Sequence, residues 1–185
     1  MLNNEKKEKL GVVLFNLGGP DKLEDVRPFL YNFFLQPEII RVRSNLLRKF
    51  IAWFISTTRH KKSAGYYSLI GGGSPQRRIT EEQATALKAE LRRRGIEINI
   101  YVAMRCWQPY TEAVVEAIEN DRVTRVIGLP LYPHYSLSTT HSSFKHFIKV
   151  LSERGGMRHI KRHYITTWYD HPKYIDAVVE TIKDA

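Results

Sequence analysis

The chain has 185 residues, with 29 Lys plus Arg against 19 Asp plus Glu for a net charge of +10. That length suits one α/β unit with a real core, and 43% hydrophobic with 26% charged residues excludes long disorder. A single cysteine, Cys106, excludes an internal disulfide framework and a cysteine-only zinc or iron–sulfur site, and it fits a reducing compartment.

The opening residues 1–10 are polar and Lys-rich without a small-residue cleavage pattern, so a polar tail and no secretory leader are expected. Gly11–Leu17 is a continuous apolar run that ends in Gly18, Gly19 and Pro20, as a buried parallel strand feeding a loop does. Asp21 is expected to cap a helix through Phe34, with Val26, Phe29, Leu30 and Phe33 on one face. Thr80 is expected to cap a helix that ends near Gly95, followed by a strand from Ile96 to Met104 and a helix over 109–120. A third strand over Val123–Leu131, a helix over Thr139–Arg154, a strand over Ile160–Thr166 and a helix over 171–184 complete the alternation. The expected fold is α/β: a doubly wound parallel sheet of about four strands flanked by helices. Ligands of such sheets sit beyond the carboxyl ends of the strands, which singles out 17–20, 104–109 and 131–140.

Between Ile39 and Thr80 there is no acidic residue, yet Arg41, Arg43, Arg48, Lys49, Arg59, Lys61 and Lys62 fall there among Leu46, Phe50, Trp53 and Phe54. A helix so composed suits an anionic membrane interface or an acidic hydrophobic ligand. It equally suits a core helix whose cations are solvated. No apolar run reaches the ~18 residues of a membrane span, so membrane contact would be peripheral.

Gly71-Gly72-Gly73-Ser74-Pro75 permits a tight loop or a close ligand approach, but matches no phosphate-loop pattern. Residues 129–143 concentrate tyrosines, histidines and hydroxyls where a strand meets a helix, the strongest local sign of a site. The same residues could instead cap the helix or fill the core. His134 is either a solvent-facing loop residue or a metal or proton partner. Arg105, at a sheet edge, should meet a carboxylate of protein or ligand, and Cys106 reads as a packed side chain.

In order along the chain stand Phe15-Asn-Leu-Gly-Gly-Pro20, Val26-Arg-Pro-Phe-Leu30, Tyr67-Ser-Leu-Ile-Gly-Gly-Gly-Ser-Pro75, Met104-Arg-Cys-Trp-Gln-Pro109 and Leu131-Tyr-Pro-His-Tyr-Ser-Leu-Ser-Thr-Thr140. This succession resembles ferrochelatase, the family that inserts ferrous iron into a porphyrin, from about Gly11 to the Trp168–Pro172 segment. The resemblance implies a chelatase-like fold, with residues 11–185 as the amino-terminal one of two similar halves and the porphyrin between them. It implies Fe²⁺ and protoporphyrin IX as substrates and no permanently bound cofactor. Arg59, Tyr67 and Ser74 match positions that hold the propionates, Leu17 lies against the macrocycle, and Arg105 matches an arginine near the metal approach. Tyr132, Tyr135, Ser136 and Ser138 match the polar wall of the cleft.

His134 is the candidate metal contact, a histidine in part of the family where glutamine is the other common choice. The histidine of a Ser-Ala-His-like block and the acid on which metal insertion depends do not occur here, so they are expected beyond Ala185, in a carboxy-terminal half. Leu137 stands where some relatives carry a cysteine ligand, so no iron–sulfur cluster is expected. Cys106, Trp107 and His141 depart from the usual residues, so a different pocket wall near Arg105 and different packing at the helix start are expected. A cytoplasmic protein is expected, peripheral at the inner membrane face through residues 39–62. Competing readings are a non-catalytic porphyrin- or haem-binding fragment and a chelatase for coproporphyrin or cobalt. Nucleic-acid binding rests on charge alone and is not expected, since no RNA or DNA motif is present.

Overall fold

The computed structural model describes residues 8–157 and 159–184. Four strands, β1 (Leu10–Asn16), β2 (Asn99–Met104), β3 (Arg125–Pro130) and β4 (Lys161–Tyr164), form one sheet in the order β2-β1-β3-β4. All three pairings are parallel. The helices are α1 (Val26–Phe34), α2 (Asn45–Ser68), α3 (Gln76–Arg93), α4 (Thr111–Asn120), α5 (Ser142–Glu153) and α6 (Pro172–Lys183).

β1 is central and buried throughout after its first residue, so both of its faces must be apolar. Alternation sends Val13 and Phe15 to one face, where they meet Val114, Val115 and Ile118 of α4 and Phe147, Val150 and Leu151 of α5. Val12 and Leu14 face the other way, against Ala84, Leu87 and Leu91 of α3. Helices on both faces make the sheet doubly wound, as the sequence predicts.

The chain leaves β1 towards β2 and later leaves β3 towards β4, on the opposite side of the sheet. The loops after β1 and β3 therefore diverge, and a crevice opens between the carboxyl ends of these neighbouring strands.

Several boundaries differ from the sequence-based expectations for identifiable reasons. β1 begins at Leu10, and Glu8, expected in the polar tail, pairs with Arg125 at 2.9 Å and Lys161 at 2.8 Å. Residues 1–7 of that tail lie outside the described residues. Asp21 caps nothing: a 3₁₀ turn, Leu23–Asp25, precedes α1, and the Asp21 carboxylate accepts from Trp107 Nε1 at 3.1 Å and pairs with Arg77 at 3.2 Å. α3 starts at Gln76, four residues before the expected cap Thr80, so Glu81 and Glu82 complete i,i+4 pairs with Arg77 and Arg78. A π turn, Leu137–His141, stands between β3 and α5, and its cap is Ser136, whose Oγ accepts from Thr139 N at 3.2 Å.

Candidate functional site

Leu17 and Leu131, the residues that follow β1 and β3, both line a cavity of about 450 Å³. Its other walls are Phe29 of α1, Tyr67 near the end of α2, Ser74, and the first two turns of α3. The volume lies within the range of about 300–1,000 Å³ usual for small-molecule sites. No lining residue carries a formal charge, while hydroxyls and amides from Tyr67, Ser74, Gln76, Thr80 and Gln83 stand among apolar side chains.

The glycine loop sets this geometry. Gly71 and Gly72 adopt positive φ of 99° and 90°, conformations that favour glycine. The chain then passes so close to the β1 loop that Ser74 N donates to Pro20 O at 2.7 Å. Gln76 N donates to Ser74 Oγ at 3.3 Å, fixing that side chain at the entrance of α3.

Beneath lies Asn16, whose Oδ1 accepts from Leu17 N at 2.8 Å and Gln76 Nε2 at 3.0 Å. Its Nδ2 donates to the buried Thr80 Oγ1 at 3.0 Å, and Thr80 in turn donates to Gln76 O at 2.7 Å. One amide thus ties the end of β1 to the start of α3. Sequence reasoning passed over Asn16 and Gln76 and took Thr80 only for a helix cap; the available signal was an amide closing an otherwise apolar strand.

Leu17, Tyr67 and Ser74 come together in the cavity. Burial alone raises the Tyr67 phenol above its ordinary value, so it stays a neutral donor at physiological pH. Arg59 lies outside the cavity lining, two turns before Tyr67 on α2 and about 12 Å away along the helix axis. It is exposed, with its guanidinium 6.0 Å from the Phe34 ring centroid.

Arg105 lines a separate cavity of about 290 Å³ with Asn32, Gln36, Tyr110, Glu112 and His146. Its Nε donates to Ser142 Oγ at 2.9 Å, and Ser142 donates to Gln36 Oε1 at 2.9 Å. Gln36 Nε2 donates to Cys106 Sγ at 2.7 Å, which closes a buried chain of bonds. The ion pair expected of Arg105 does not form among the described residues: its Nε meets the Ser142 hydroxyl instead, and the nearby Glu38 carboxylate is salt-bridged to Lys145 at 3.1 Å. Burial would raise Glu38, but Lys145, a backbone hydrogen bond and Arg105 together hold it below its usual value. Burial and Arg105 keep His146 below its usual value despite its 3.0 Å contact with Glu112. Burial pushes the Cys106 thiol up to about 12, so it is a packed, inert group.

In the loop after β3 the Tyr132 hydroxyl is buried beside Ser143, and neither oxygen has a well-formed hydrogen bond. Burial lifts the Tyr132 phenol above its ordinary value. Tyr135 is exposed, and its hydroxyl lies 3.2 Å from His141 Nδ1. Ser136 and Ser138 lie within 3.3 Å of each other at the start of the π turn. His134 is exposed and stacks on Tyr169, with ring centroids 5.1 Å apart. Among the described residues no group of three or more His, Cys, Asp or Glu is placed to hold a metal ion.

α2 presents two unlike faces. Ala52 and Ser56, small and buried one turn apart, allow α1 to approach closely. Leu46 and Phe50, 80% and 60% exposed, share the outer side with Trp53 and Phe54, with Arg41, Arg43 and Lys49 nearby in sequence. Among the described residues no helix is long and apolar enough to cross a membrane.

A family model described as Ferrochelatase matches residues 9–185. A relative named Ferrochelatase from Cyanothece sp. is 51% identical over 176 residues, which are 95% of this chain and 46% of the relative. One of the same name from Synechocystis sp. is 50% identical over 94% of this chain and 45% of its own length. A third, from Gloeobacter violaceus, is 49% identical over 95% of this chain and 54% of its own. The chain spans about half the length of the curated relatives it matches.

Proposed function

The chain belongs to the ferrochelatase family, and from that membership we propose that it supplies the porphyrin-holding half of an enzyme that inserts Fe²⁺ into protoporphyrin IX to form protohaem. The observation that carries this reading is the cavity at the β1–β3 crevice, where Leu17 offers an apolar wall and Tyr67 and Ser74 offer hydroxyl donors.

A porphyrin dicarboxylate places its rings on Leu17 and its propionates on Ser74, Tyr67 and the Arg59 guanidinium beyond them. By resemblance Tyr132, Tyr135, Ser136 and Ser138, which lie outside this cavity's lining, belong to the facing wall of the cleft, and Arg105, which lines the separate cavity, belongs to the metal approach. Gripping the periphery supplies the binding energy to bend the macrocycle, which turns nitrogen lone pairs outward towards the metal. Fe²⁺ replaces two protons, taken by a base in the remainder of the polypeptide, and charge balances. His134 is the metal contact proposed from this half. Fe²⁺ is a substrate, no resident cofactor is proposed, and Leu137 offers no sulfur to a cluster.

Absorbance titration with protoporphyrin IX tests the assignment. Arg59→Ala and Ser74→Ala should each weaken binding about tenfold, the loss of one charge-assisted hydrogen bond. Folded variants with unchanged affinity would reject it. Insertion assays on the polypeptide that includes the second half test the reaction: binding without metal insertion favours a non-catalytic porphyrin-binding protein. Faster insertion of cobalt, or into coproporphyrin, favours the related chelatase reading.

We further propose that the outer face of α2 lets the protein rest peripherally on the anionic inner face of the cytoplasmic membrane, where a poorly soluble porphyrin is exchanged. Support comes from its exposed Leu46, Phe50, Trp53 and Phe54. The absence of any acid between Ile39 and Thr80 adds to it. Each Lys or Arg near such a surface contributes about 1 kcal/mol. Co-sedimentation with liposomes should rise with the fraction of anionic lipid and fall with salt; insensitivity to both refutes the contact.

A further inference from the structure

The loop after β3 is poorly equipped to hold its own shape. Pro130 and Pro133 contribute carbonyls but no N–H groups, so acceptors at both ends of the turn need donors from elsewhere. The segment between β4 and α6 supplies them. Trp168 Nε1 donates to Pro130 O at 2.7 Å, Trp168 N donates to Pro133 O at 3.1 Å, and Thr167 Oγ1 donates to Pro133 O at 3.0 Å. Tyr169 adds its ring to His134, stacked at 11°. Three successive residues therefore clasp both ends of the stretch that carries Tyr132. Trp168 is itself braced by an edge contact with Tyr174 of α6, centroids 5.0 Å apart.

We propose that Trp168, with Thr167, is a positioning residue that fixes the cleft wall 131–136, so that losing its indole donor weakens ligand binding while the sheet stays folded. The ligand part of this inference rests on the porphyrin reading above. The clasp does not, because it follows from the donors and acceptors alone. Trp168 does not itself line the 450 Å³ cavity, so its influence passes through the loop.

The test uses Trp168→Phe, which keeps a ring against Tyr174 but has no N–H, and Thr167→Val, which keeps the shape and removes the hydroxyl. Hydrogen exchange is followed by mass spectrometry, and affinity by absorbance titration with protoporphyrin IX. The expected result for Trp168→Phe is exchange about tenfold faster at the amides of 131–137, the loss of one hydrogen bond, with protection in α4 and α5 unchanged. The porphyrin dissociation constant should rise several-fold, and Thr167→Val should show the same pattern more weakly. Wild-type exchange and affinity in both folded variants would overturn the proposal, as would acceleration spread evenly over the whole sheet, the mark of a purely structural role. If the unsubstituted chain fails to bind porphyrin while exchange in Trp168→Phe still rises only at 131–137, the clasp stands and the porphyrin reading falls.

Discussion

Gly73→Ala should lower stability by about 3 kcal/mol, at the upper end of the usual cost of overpacking, and raise the porphyrin dissociation constant at least tenfold. A Cβ at position 73 would stand 2.2 Å from Asp21 O and 2.7 Å from Asp21 C. Both are main-chain atoms, so no rotamer change relieves the clash, and the glycine loop must lift off the β1 loop. Lifting breaks the 2.7 Å bond from Ser74 N to Pro20 O and carries the Ser74 hydroxyl out of the cavity. Gly65→Ala is the control: an added Cβ there meets nothing within 4 Å. In the interior of α2 it should stabilise by about 0.5–1 kcal/mol. Urea unfolding midpoints with porphyrin titration check both; a Gly73→Ala protein of unaltered midpoint and affinity would show that the loops do not need this approach.

Asn16→Leu should be the most damaging polar substitution in the site. Leucine fills nearly the same volume, so what is lost is hydrogen bonding. Leu17 N and Gln76 Nε2 lose their acceptor, and the Thr80 hydroxyl, 1% exposed, keeps only its donation to Gln76 O. At about 1–3 kcal/mol for each buried polar group left unpaired, a total near 4 kcal/mol is expected. Affinity should fall as well, because Leu17 and the first turn of α3 no longer share a fixed frame. Denaturant unfolding measures the first effect and titration the second; a loss under 1 kcal/mol would mean that the amide is not the clamp its bonds describe.

The sequence alone shows why a sheet forms and at which end of it a ligand is expected. The run Val12–Phe15 has no polar residue, which is only stable with both faces covered, and the repeated strand–helix alternation then requires parallel crossovers. From that much the loops at 17–20, 104–109 and 131–140 follow as the expected ligand end; one cavity lies against the first and third, at Leu17 and Leu131, while Arg105 of the second lines another. The resemblance implies one propionate-holding role for Arg59, Tyr67 and Ser74; the last two share the cavity that Leu17 lines, and Arg59 lies outside it.

Local patterns misled where a side chain had a better partner far along the chain. Asp21 looks like a helix cap because caps are read from neighbours, but Trp107 and Arg77 claim its carboxylate. Thr80 looks like a helix start for the same reason, yet it is the buried partner of Asn16 from 64 residues away. Arg105 reads from sequence as needing a carboxylate, but its Nε meets the Ser142 hydroxyl, and it lines a second cavity with Gln36.

Composition, periodicity and motif order thus determined the α/β class and the family, because those depend on residues close in sequence and on patterns that survive in one dimension. Only the tertiary structure decided that β1 sits beside β3, that an amide clamp joins β1 to α3, and that Trp168 holds the loop of Tyr132. These contacts span 38 to 115 residues of chain. Their partners are chosen by which hydrogen-bonding groups remain unpaired once the apolar faces have packed.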